Sequence, residues 1–333
     1  MTSQPRRKLL VLTYHRLQLW IAPPWFGERL QKEFPGLWVE QWNSYDHVEE
    51  HIADAEILFG ISLRPEQFLA AKKLRWIHSQ AAAVHQWMFP DLVNSDVMLT
   101  NARDVHGPVV AEQVMAMIFA LAKQIPAAVR FQLKHEWGQE AISKMAAPRE
   151  ISGATVGLVG LGSIGRNVAK HAAALGMRVV AVREHPQKAK PEHVDEVWPS
   201  SQLLRLLSQS DYVVLSAPVT AESTGMIGKE QLAAMKSHAR LINVGRGPLI
   251  DEPALIDALR EGKIGGAALD VFDKEPLPAE SPLWDLENLL ILPHTAGISE
   301  KMWDRHYALF SDNLNRYLAG QPLLGVVDKS SGY

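Results

Sequence analysis

Short apolar runs alternate with helical patterns from Lys8 to about Thr100, which is typical of a parallel β-sheet covered by helices. The apolar runs predict strands at residues 9–13, 37–39, 57–59, 76–78 and 97–99. Apolar residues at helical spacing lie between them, near residues 26–33, 48–54, 65–71 and 84–88. The alternation therefore predicts one small α/β domain in this part of the chain.

The same alternation resumes after a long apolar helix, which is predicted over about residues 109–123. The nearly continuous apolar character of this helix indicates burial on most sides, in a core or partly at a subunit interface. Further strands are predicted at 155–159, 179–182, 212–215, 240–243, 267–270 and 289–292, with helices running to Leu175 and over 201–207, 229–235 and 252–260. These segments predict a second, larger doubly wound sheet. A last helix over 299–318 is predicted to pack back on the first domain.

The second sheet opens with a glycine-rich turn, in which Gly160, Gly162 and Gly165 follow a short apolar strand and precede a helix. A strand, such a turn, a helix and another strand within about 30 residues form the βαβ unit that holds a dinucleotide. Gly160 permits the tight turn, Gly162 lets the backbone approach the pyrophosphate, and Gly165 lets the helix pack closely on the strand. The helix N-terminus then faces the negative charge, so we predict a dinucleotide site.

Composition narrows the classes of function that remain open. The 333 residues carry 34 Lys and Arg against 37 Asp and Glu, and a net charge of -3 gives no global attraction to nucleic acid or membranes. Cysteine is absent, which excludes disulfides and thiolate metal ligands and is compatible with a reducing cytoplasm. No run approaches the roughly 18 uninterrupted apolar residues of a membrane span. We therefore expect a cytoplasmic protein with no nucleic acid and no membrane as partner.

Polar residues follow three strands of the second sheet, at the edge where ligands collect in open α/β folds. Arg246 follows the fourth predicted strand within a Gly-Arg-Gly segment, Glu275 lies shortly after the fifth, and His294 lies just after the sixth. A guanidinium binds a carboxylate through a planar fork, and an imidazole can exchange a proton with a carbonyl or alcohol oxygen. A carboxylate beside the imidazole would favour its protonated form. The three residues predict a catalytic site beside the dinucleotide turn.

The segments that carry these residues resemble the D-isomer-specific 2-hydroxyacid dehydrogenase family, and most of all its glyoxylate/hydroxypyruvate reductase branch. The matching segments are residues 156–165, Asn243-Val244-Gly245-Arg246-Gly247, Leu269-Asp270-Val271-Phe272 with Glu275-Pro276, and Pro293-His294-Thr295-Ala296-Gly297. The resemblance covers nearly the whole chain. It implies an oxidoreductase that transfers a hydride between NAD(P)H and C2 of a small 2-keto or 2-hydroxy acid, with D specificity.

The resemblance also implies a role for each site residue. It makes Arg246 the anchor of the substrate carboxylate, His294 the general acid/base and Glu275 the partner of His294. Asp270 is implied near the nicotinamide amide, and ribose contacts are implied around Ala217. The full set predicted to bind the cofactor is Gly160, Gly162, Ser163, Ile164, Gly165, Arg183, Ala217, Pro218, Thr224, Val244 and Asp270.

The fold that the resemblance implies is α/β, with two doubly wound parallel-sheet domains. A Rossmann cofactor domain over residues 103–294 is inserted into a flavodoxin-like substrate domain made from residues 1–102 and 295–333. A homodimer built on the helices that begin near Pro108 is implied as well.

The end of the second strand of the cofactor unit departs from the family pattern. An acidic residue usually stands there and binds the ribose 2'-hydroxyl, whereas this chain has Arg183, with Lys188 and Lys190 downstream. Because a guanidinium suits a 2'-phosphate, we predict NADP rather than NAD. Glu184 counts against this prediction, since the NADP-preferring branch often has a second basic residue at that position.

The predicted substrate loop, residues 79–85, is a second departure. The corresponding family segment usually contains glycines and an aspartate, whereas this loop has three alanines followed by Val84 and His85. We predict that the backbone N–H groups of Ala82, Ala83 and Val84 bind the substrate carboxylate. The added methyl groups and His85 bear on the size and identity of the substrate.

A short histidine motif in the first domain resembles a metal-binding motif. His47, Glu50 and His51 fit the HxxEH pattern of one class of zinc peptidase. The motif lies in a strongly polar run without an evident third ligand, so we predict a solvated helix face and no metal site.

Two alternatives to the reductase stay open. A formate dehydrogenase-like enzyme has a similar fold, but it usually pairs its histidine with glutamine, and Glu275 counts against it. A dinucleotide-sensing, corepressor-like binding protein on the same fold can retain the arginine, glutamate and histidine. An assay of turnover against a search for protein partners would distinguish this binding protein from the enzyme.

Overall fold

The alternation of apolar and helical segments produces two units, each built on a parallel sheet. The computed structural model describes residues 6–144 and 148–330. The first unit contains the chain up to His106 and again from Ser299, and the second unit is Gly107–Ile298. Each unit buries apolar side chains on both faces of its own sheet.

The sheet of the first unit has five strands in the order β2-β1-β3-β4-β5, which is the flavodoxin-like order. In β1, Leu9 pairs with Val39 on one side and with Ile57 on the other. The strands are Arg7–Leu12 (β1), Leu37–Trp42 (β2), Ala55–Gly60 (β3), Trp76–Ser79 (β4) and Met98–Asn101 (β5). The helices between them are Pro24–Glu33, Val48–Ile52, Pro65–Ala70 and Pro90–Val93.

The last helix, Met302–Leu318, belongs to this first unit, as predicted. The side chain of Phe310, on this helix, is fully buried against Phe59 and Trp76, and the ring centroids are 4.9 and 5.4 Å apart, respectively. Aromatic pairs at such distances add to the free energy gained by burying their area. The chain therefore returns to its first sheet because an aromatic stripe on this helix covers one face of that sheet.

The sheet of the second unit has seven strands in the order β12-β11-β10-β9-β6-β7-β8. Counted from its own first strand and read from β8, this is the Rossmann order 3-2-1-4-5-6 with one further strand at the end. The strands are Thr155–Val159 (β6), Arg178–Arg183 (β7), Glu196–Pro199 (β8), Tyr212–Leu215 (β9), Arg240–Asn243 (β10), Gly266–Leu269 (β11) and Leu289–Ile291 (β12). The two sheets confirm the predicted fold class.

Seven helices of the second unit are described. They are Gly107–Ala122, Ile125–Leu133, Gln139–Lys144, Ser163–Ala174, Leu203–Gln209, Lys229–Ala234 and Glu252–Arg260. Over the described residues no single helix has the length and apolarity needed to cross a membrane. Gly107–Ala122 and Ile125–Leu133 reach that length and apolarity only as a pair, across a bend of 67°.

The prediction of secondary structure was wrong for several short elements. The helix predicted over 84–88 is a single 3-10 turn, His85–Trp87, because the segment before Pro90 is too short for an α-helix, and the helix Pro90–Val93 was not predicted. The strand Glu196–Pro199 was not predicted. It lies at the edge of its sheet and carries Glu196 and Pro199, residue types that are depleted in strands.

Two histidines are buried in the first unit without charged partners. The ring of His78 lies beside the hydroxyl of Thr100, with Nδ1 2.8 Å from Oγ1, while Nε2 has no hydrogen-bond partner among the described residues. Neither ring nitrogen of His306 has a partner within the described ranges. Burial lowers the pKa of His78 to about 3 and that of His306 well below its ordinary value, and for His306 the nearby His106 and His78 add to the effect. Both rings are therefore neutral in the folded protein at neutral pH.

We expect the first unit to lose stability as the pH falls below about 6.5, the pKa of an unfolded histidine. The unfolded chain then binds protons that the folded chain does not, which costs about 1.4 kcal/mol per pH unit for each histidine. Urea unfolding at pH 8, 6.5 and 5.5 measures this loss. His306→Leu should reduce the acid sensitivity and His85→Gln, at an exposed position, should not. Identical pH dependence of the wild type and His306→Leu would contradict this expectation.

Candidate active site

The glycine-rich turn has the backbone geometry that the sequence predicted. Gly160 adopts a φ of +99°, and a Cβ atom there would lie 2.9 Å from the backbone nitrogen of Ala217. A Cβ atom on Gly165 would lie 2.4 Å from the carbonyl oxygen of Gly160. Only glycine avoids both the left-handed strain and the contacts. Ser216 adds a hydrogen bond from its hydroxyl to the oxygen of Gly160, at 3.2 Å, which the sequence did not indicate.

The helix Ser163–Ala174 begins at this turn with free space in front of it. No atom lies within 4 Å of the position that a Cβ on Gly162 would take, and no side chain caps the helix at Gly162. The first N–H groups of a helix have no partner inside the helix, so those at Ser163 and Ile164 are available to an anion. The residues present therefore fit the pyrophosphate of a dinucleotide.

Arg246 lies in a turn that a buried asparagine holds in place. Asn243, the last residue of β10, donates from Nδ2 to the carbonyl oxygen of Arg246 at 2.9 Å and accepts from Gly245 N at 3.0 Å. Part of the Arg246 side chain is exposed, yet desolvation lowers the pKa of its guanidinium, against the opposite effect of the Glu275 carboxylate. The guanidinium stays charged, because its ordinary pKa is far above neutral pH. Asn243 was missed as a site residue, although a polar residue that ends a buried strand is a signal for such a role.

His294 and Glu275 form a hydrogen-bonded pair, as the sequence predicted. Nδ1 of His294 lies 2.6 Å from Oε2 of Glu275, and the other carboxylate oxygen, Oε1, accepts from the backbone N–H of Phe272 at 3.0 Å. The carboxylate is thus fixed on one side by the backbone and on the other by the imidazole. The His294 side chain is half exposed, which leaves its second ring nitrogen within reach of a ligand.

Asp270 holds the segment that follows His294. Its two carboxylate oxygens accept from the backbone N–H groups of Thr295 and Ala296, at 2.8 and 3.0 Å. Burial raises the pKa of this carboxyl, and the two hydrogen bonds oppose the rise. His294 itself has a φ of +54°, a left-handed conformation that costs free energy for a residue other than glycine. Asp270 therefore stabilises the backbone that carries the imidazole of His294. The contact of Asp270 with the nicotinamide stays a prediction.

Arg183 lies at the end of β7, but its guanidinium is turned toward its own loop. Nη2 donates to the carbonyl oxygens of Pro186 and Ala189 at 3.4 and 3.2 Å, and also to that of Lys188. Its Nε is buried and has no hydrogen-bond partner in residues 6–144 and 148–330. Glu184 accepts a hydrogen bond from the hydroxyl of Ser200 at 3.3 Å. To bind a phosphate through Nη2, the guanidinium would have to exchange at least one of these carbonyl contacts.

The other predicted cofactor residues follow the strands next to the glycine turn. Val244 is buried and its N–H donates to Leu215 O at 3.2 Å, which extends the pairing of β10 with β9 by one residue. Ala217 and Pro218 come just after β9. The hydroxyl of Thr224 donates to Thr220 O at 2.8 Å in the same connection. The structure thus brings these residues to the C-terminal edge of the sheet that carries the glycine turn.

The predicted substrate loop lies in the first unit and is held by its neighbours there. Asn101 donates to the carbonyl oxygen of Ala82 at 2.8 Å, and Trp87 donates from its indole to Ser79 Oγ at 3.0 Å. The backbone N–H groups of Ala82, Ala83 and Val84 donate to no acceptor in the described part of the chain. Free N–H groups of this kind can bind an anion. His85 is exposed, and Val84 is buried.

The histidines of the HxxEH motif contact carboxylates and an aromatic ring. His51 lies 2.5 Å from Glu40 through Nδ1 and stacks on Trp42, with ring centroids 4.0 Å apart. His47 lies 3.2 Å from Glu50 through its own Nδ1. Among residues 6–144 and 148–330, no group of His, Asp and Glu side chains is arranged to hold a metal ion.

We expect Asn243→Ala to destabilise the second unit by about 1–3 kcal/mol, because the buried N–H of Gly245 then loses its acceptor. Asn243→Asp keeps an acceptor oxygen but places a buried carboxylate against the carbonyl oxygen of Arg246, so it should cost at least as much. Asn315→Ala, which removes one hydrogen bond on an exposed helix face, serves as the control. Urea unfolding followed by intrinsic fluorescence measures the three variants. An Asn243→Ala protein as stable as the control would show that this side chain does not hold the arginine turn.

Comparison with known proteins gives one family. The family model of the D-isomer specific 2-hydroxyacid dehydrogenase NAD binding domain matches residues 115–296. The chain is 34% identical to a glyoxylate reductase of Korarchaeum cryptofilum, over 82% of each chain. It is 33% identical to glyoxylate/hydroxypyruvate reductase B of Pectobacterium carotovorum, over 88% of this chain and 91% of the relative.

A solved structure supports the same relationship. The D-isomer specific 2-hydroxyacid dehydrogenase from Xanthobacter autotrophicus, in complex with NADPH and MES, is 31% identical to this chain. It superposes with a TM-score of 0.83 over 97% of this chain and 99% of its own. These comparisons favour neither the formate dehydrogenase-like enzyme nor the corepressor-like protein. The chain belongs to the D-isomer specific 2-hydroxyacid dehydrogenase family, whose members are NAD(P)-dependent oxidoreductases.

Proposed function

We propose that this protein reduces small 2-keto acids such as glyoxylate and hydroxypyruvate with NADPH, and that His294, Glu275 and Arg246 carry the reaction. The observation that supports the proposal most is the hydrogen bond of 2.6 Å between His294 Nδ1 and Glu275 Oε2. This bond is made at the sheet edge that also carries Arg246 and the glycine turn. The names of the two reductase relatives agree with this class of substrate.

His294 supplies the proton in this proposal. In the tautomer that donates Nδ1–H to Glu275, the other ring nitrogen, Nε2, is left to exchange a proton with the substrate. The nicotinamide, when bound, supplies the hydride to C2 of the keto acid. Nε2–H of His294 donates its proton to the oxygen that becomes the hydroxyl, and the reverse reaction returns that proton to the imidazole. Glu275 stabilises the charged imidazolium and keeps the ring oriented.

Arg246 binds the substrate carboxylate in this proposal. A planar guanidinium matches a carboxylate with two parallel hydrogen bonds, which fixes the orientation of the keto group as well as adding binding energy. The free N–H groups of Ala82, Ala83 and Val84 are proposed as the substrate-binding groups of the first unit. The methyl groups of the alanines and the exposed His85 then favour a short keto acid over a long one.

We propose NADP as the preferred cofactor, with NAD as the alternative. Arg183 supports this choice, because a guanidinium at the end of the second strand attracts a 2'-phosphate, and no aspartate or glutamate occupies that position. The NADPH bound to the Xanthobacter relative agrees with it. The carbonyl contacts of Arg183 and the neighbouring Glu184 both oppose it.

The proposed assembly is a cytoplasmic homodimer built on the helices that begin near Pro108, without nucleic acid or membrane as partner. Leu133 is 77% exposed and Trp137 is 90% exposed, an arrangement that leaves two large apolar side chains in water. Exposed apolar side chains close together favour contact with another protein surface. The absence of cysteine is compatible with a reducing compartment.

We expect His294→Gln to lower kcat by about 100- to 10,000-fold, because general acid catalysis is lost while the fold is retained. His171→Gln, at the end of a helix, should keep wild-type activity. The assay follows oxidation of NADPH and NADH with glyoxylate, hydroxypyruvate, pyruvate and longer keto acids. A His294→Gln enzyme as active as the wild type would remove the histidine from the reaction. A wild-type protein inactive with every acid of this panel would contradict the proposed function itself.

We expect Arg183→Asp to lower the ratio of kcat/KM with NADPH to that with NADH by about 10- to 100-fold. The aspartate repels a 2'-phosphate and can accept a hydrogen bond from a free 2'-hydroxyl. Lys229→Gln, an exposed change of charge elsewhere in the same unit, is the control. An unchanged preference for NADPH would show that Arg183 does not select the phosphate.

A further inference from the structure

A cavity of about 380 Å³ opens in the second unit at the N-terminal ends of its strands. This edge of the sheet is opposite to the one that carries the glycine turn, and none of the residues proposed for hydride transfer lines the cavity. Its walls come from the corner between Gly107–Ala122 and Ile125–Leu133, from the end of Glu252–Arg260, and from the starts of β10 and β12. Three arginines, Arg130, Arg240 and Arg260, line it.

Arg240 is a buried cation without a counter-charge. The residue is only 6% exposed, and no carboxylate pairs with it in the described ranges. Among the residues that the structure describes, its hydrogen bond runs from Nη1 to the carbonyl oxygen of His238, at 2.7 Å. Desolvation lowers the pKa of the guanidinium, the charge of Arg149 adds to this, and Tyr212 opposes it. A guanidinium nevertheless stays protonated, so the fold retains an uncompensated charge at this point, which is costly unless something pairs with it.

Two glycines make room for this guanidinium. A Cβ atom on Gly265 would lie 1.4 Å from Arg240 Nη1, and one on Gly266 would lie 3.4 Å from Arg240 Cδ. The side chain of Arg240 therefore lies along two residues that have no side chains, at the wall of the cavity. A position with this shape holds the planar guanidinium in one place, and a fixed fork loses little entropy when it binds an oxyanion.

The other two arginines add positive charge at the same cavity. Arg130 donates from Nη2 to the carbonyl oxygen of Glu287 at 3.1 Å, and Arg260 lies in the last turn of its helix. In the described part of the chain neither arginine forms an ion pair with a carboxylate. Asp285 and Glu287 also line the cavity and are exposed. The cavity thus has a cationic wall of three guanidinium groups and an acidic, more exposed wall.

We propose that this cavity binds a small organic oxyanion with two or more negative charges, a phosphate ester or a di- or tricarboxylate. Guanidinium forks match the oxygen pairs of both groups, and the volume suits a small metabolite better than a single inorganic ion. The anion supplies the missing counter-charge of Arg240, and Arg130 and Arg260 bind its remaining oxygens. The acidic side chains at the other wall favour a ligand that also carries hydroxyl or amino groups. This site is independent of the proposed reaction.

Calorimetric titration of the full chain tests the proposal, with citrate and inorganic phosphate as separate probes and acetate as a singly charged comparison. Saturating NADPH is present throughout, because the glycine turn could otherwise bind the same anions. We expect saturable binding of citrate or phosphate and none of acetate. Binding of citrate alone would identify the carboxylate class, and binding of phosphate alone the phosphate class. The absence of binding of either probe at millimolar concentration would overturn the proposal.

Variants locate the binding. Arg260→Gln and Arg240→Lys should each weaken binding of the responding probe by about tenfold or more, since a charge-assisted or bidentate contact is lost. Arg205→Gln, the same change on an exposed helix outside the cavity, should leave it unchanged. Equal affinity in all three variants would place the anion elsewhere and overturn the proposal.

Sedimentation velocity of the same proteins tests whether a second copy of the chain, and not an anion, occupies the cavity. A fall in mass caused by Arg240→Lys or Arg260→Gln, without any effect on anion binding, would mean that the homodimer proposed above, which uses the same two helices, covers the cavity. That result would also overturn the proposal, whereas an unchanged mass together with weakened anion binding supports it.

Discussion

The candidate site depends on the buried carboxylate of Asp270 at the end of β11. Its two oxygens accept from the backbone of Thr295 and Ala296, and these bonds tie the end of β11 to the segment that follows β12. His294 lies directly before that segment in a left-handed conformation. This conformation is unfavourable for a histidine unless the surrounding structure holds it. The two hydrogen bonds fix the backbone that holds the imidazole against Glu275. One buried acid thus determines where the proposed proton donor stands.

Other polar side chains along the C-terminal edge of the sheet also hold backbone groups in place. Asn243 holds the turn that carries Arg246, and Ser216 holds the carbonyl of the glycine turn. Gly247 completes this edge, because a Cβ atom there would lie 1.9 Å from the backbone carbon of Phe272. Polar side chains at strand ends therefore hold backbone groups, while the residues proposed to bind the ligand lie in the turns beside them. Rigid placement of this kind is what positioning of substrate and proton donor requires.

The arginines at the two ends of β10 differ in their exposure. At the C-terminal end Arg246 is exposed in a turn that Asn243 holds, and the Glu275 carboxylate opposes the lowering of its pKa by desolvation. At the N-terminal end Arg240 is buried over two glycines with no carboxylate paired to it among the described residues. A strand of four residues thus connects an exposed arginine with a buried one. The first unit instead buries two polar groups that carry no charge, the neutral rings of His78 and His306, in an aromatic core.

Most of the fold could be predicted from the sequence, because strand and helix positions follow from periodic burial and the glycine turn from local backbone geometry. The strands Tyr212–Leu215 and Arg240–Asn243 and the helix Glu252–Arg260 were predicted to the residue. The edge strand Glu196–Pro199 could not be found, since only Val197 and Trp198 of its four residues favour a strand and pairing with β7 is what makes it one. Arg246, Glu275 and His294 were predicted together because parallel strands end at one edge.

The sequence by itself thus determined the two parallel sheets, the dinucleotide turn and the set of polar residues after the strands. Only the tertiary structure decided which groups those residues contact. It directed Asp270 to the backbone after His294, Asn243 to the arginine turn and the guanidinium of Arg183 to the carbonyls of its own loop. It also placed three arginines from distant segments around one cavity. These contacts join residues far apart in the chain, or depend on which rotamer the packing selects, and periodicity carries no information about either.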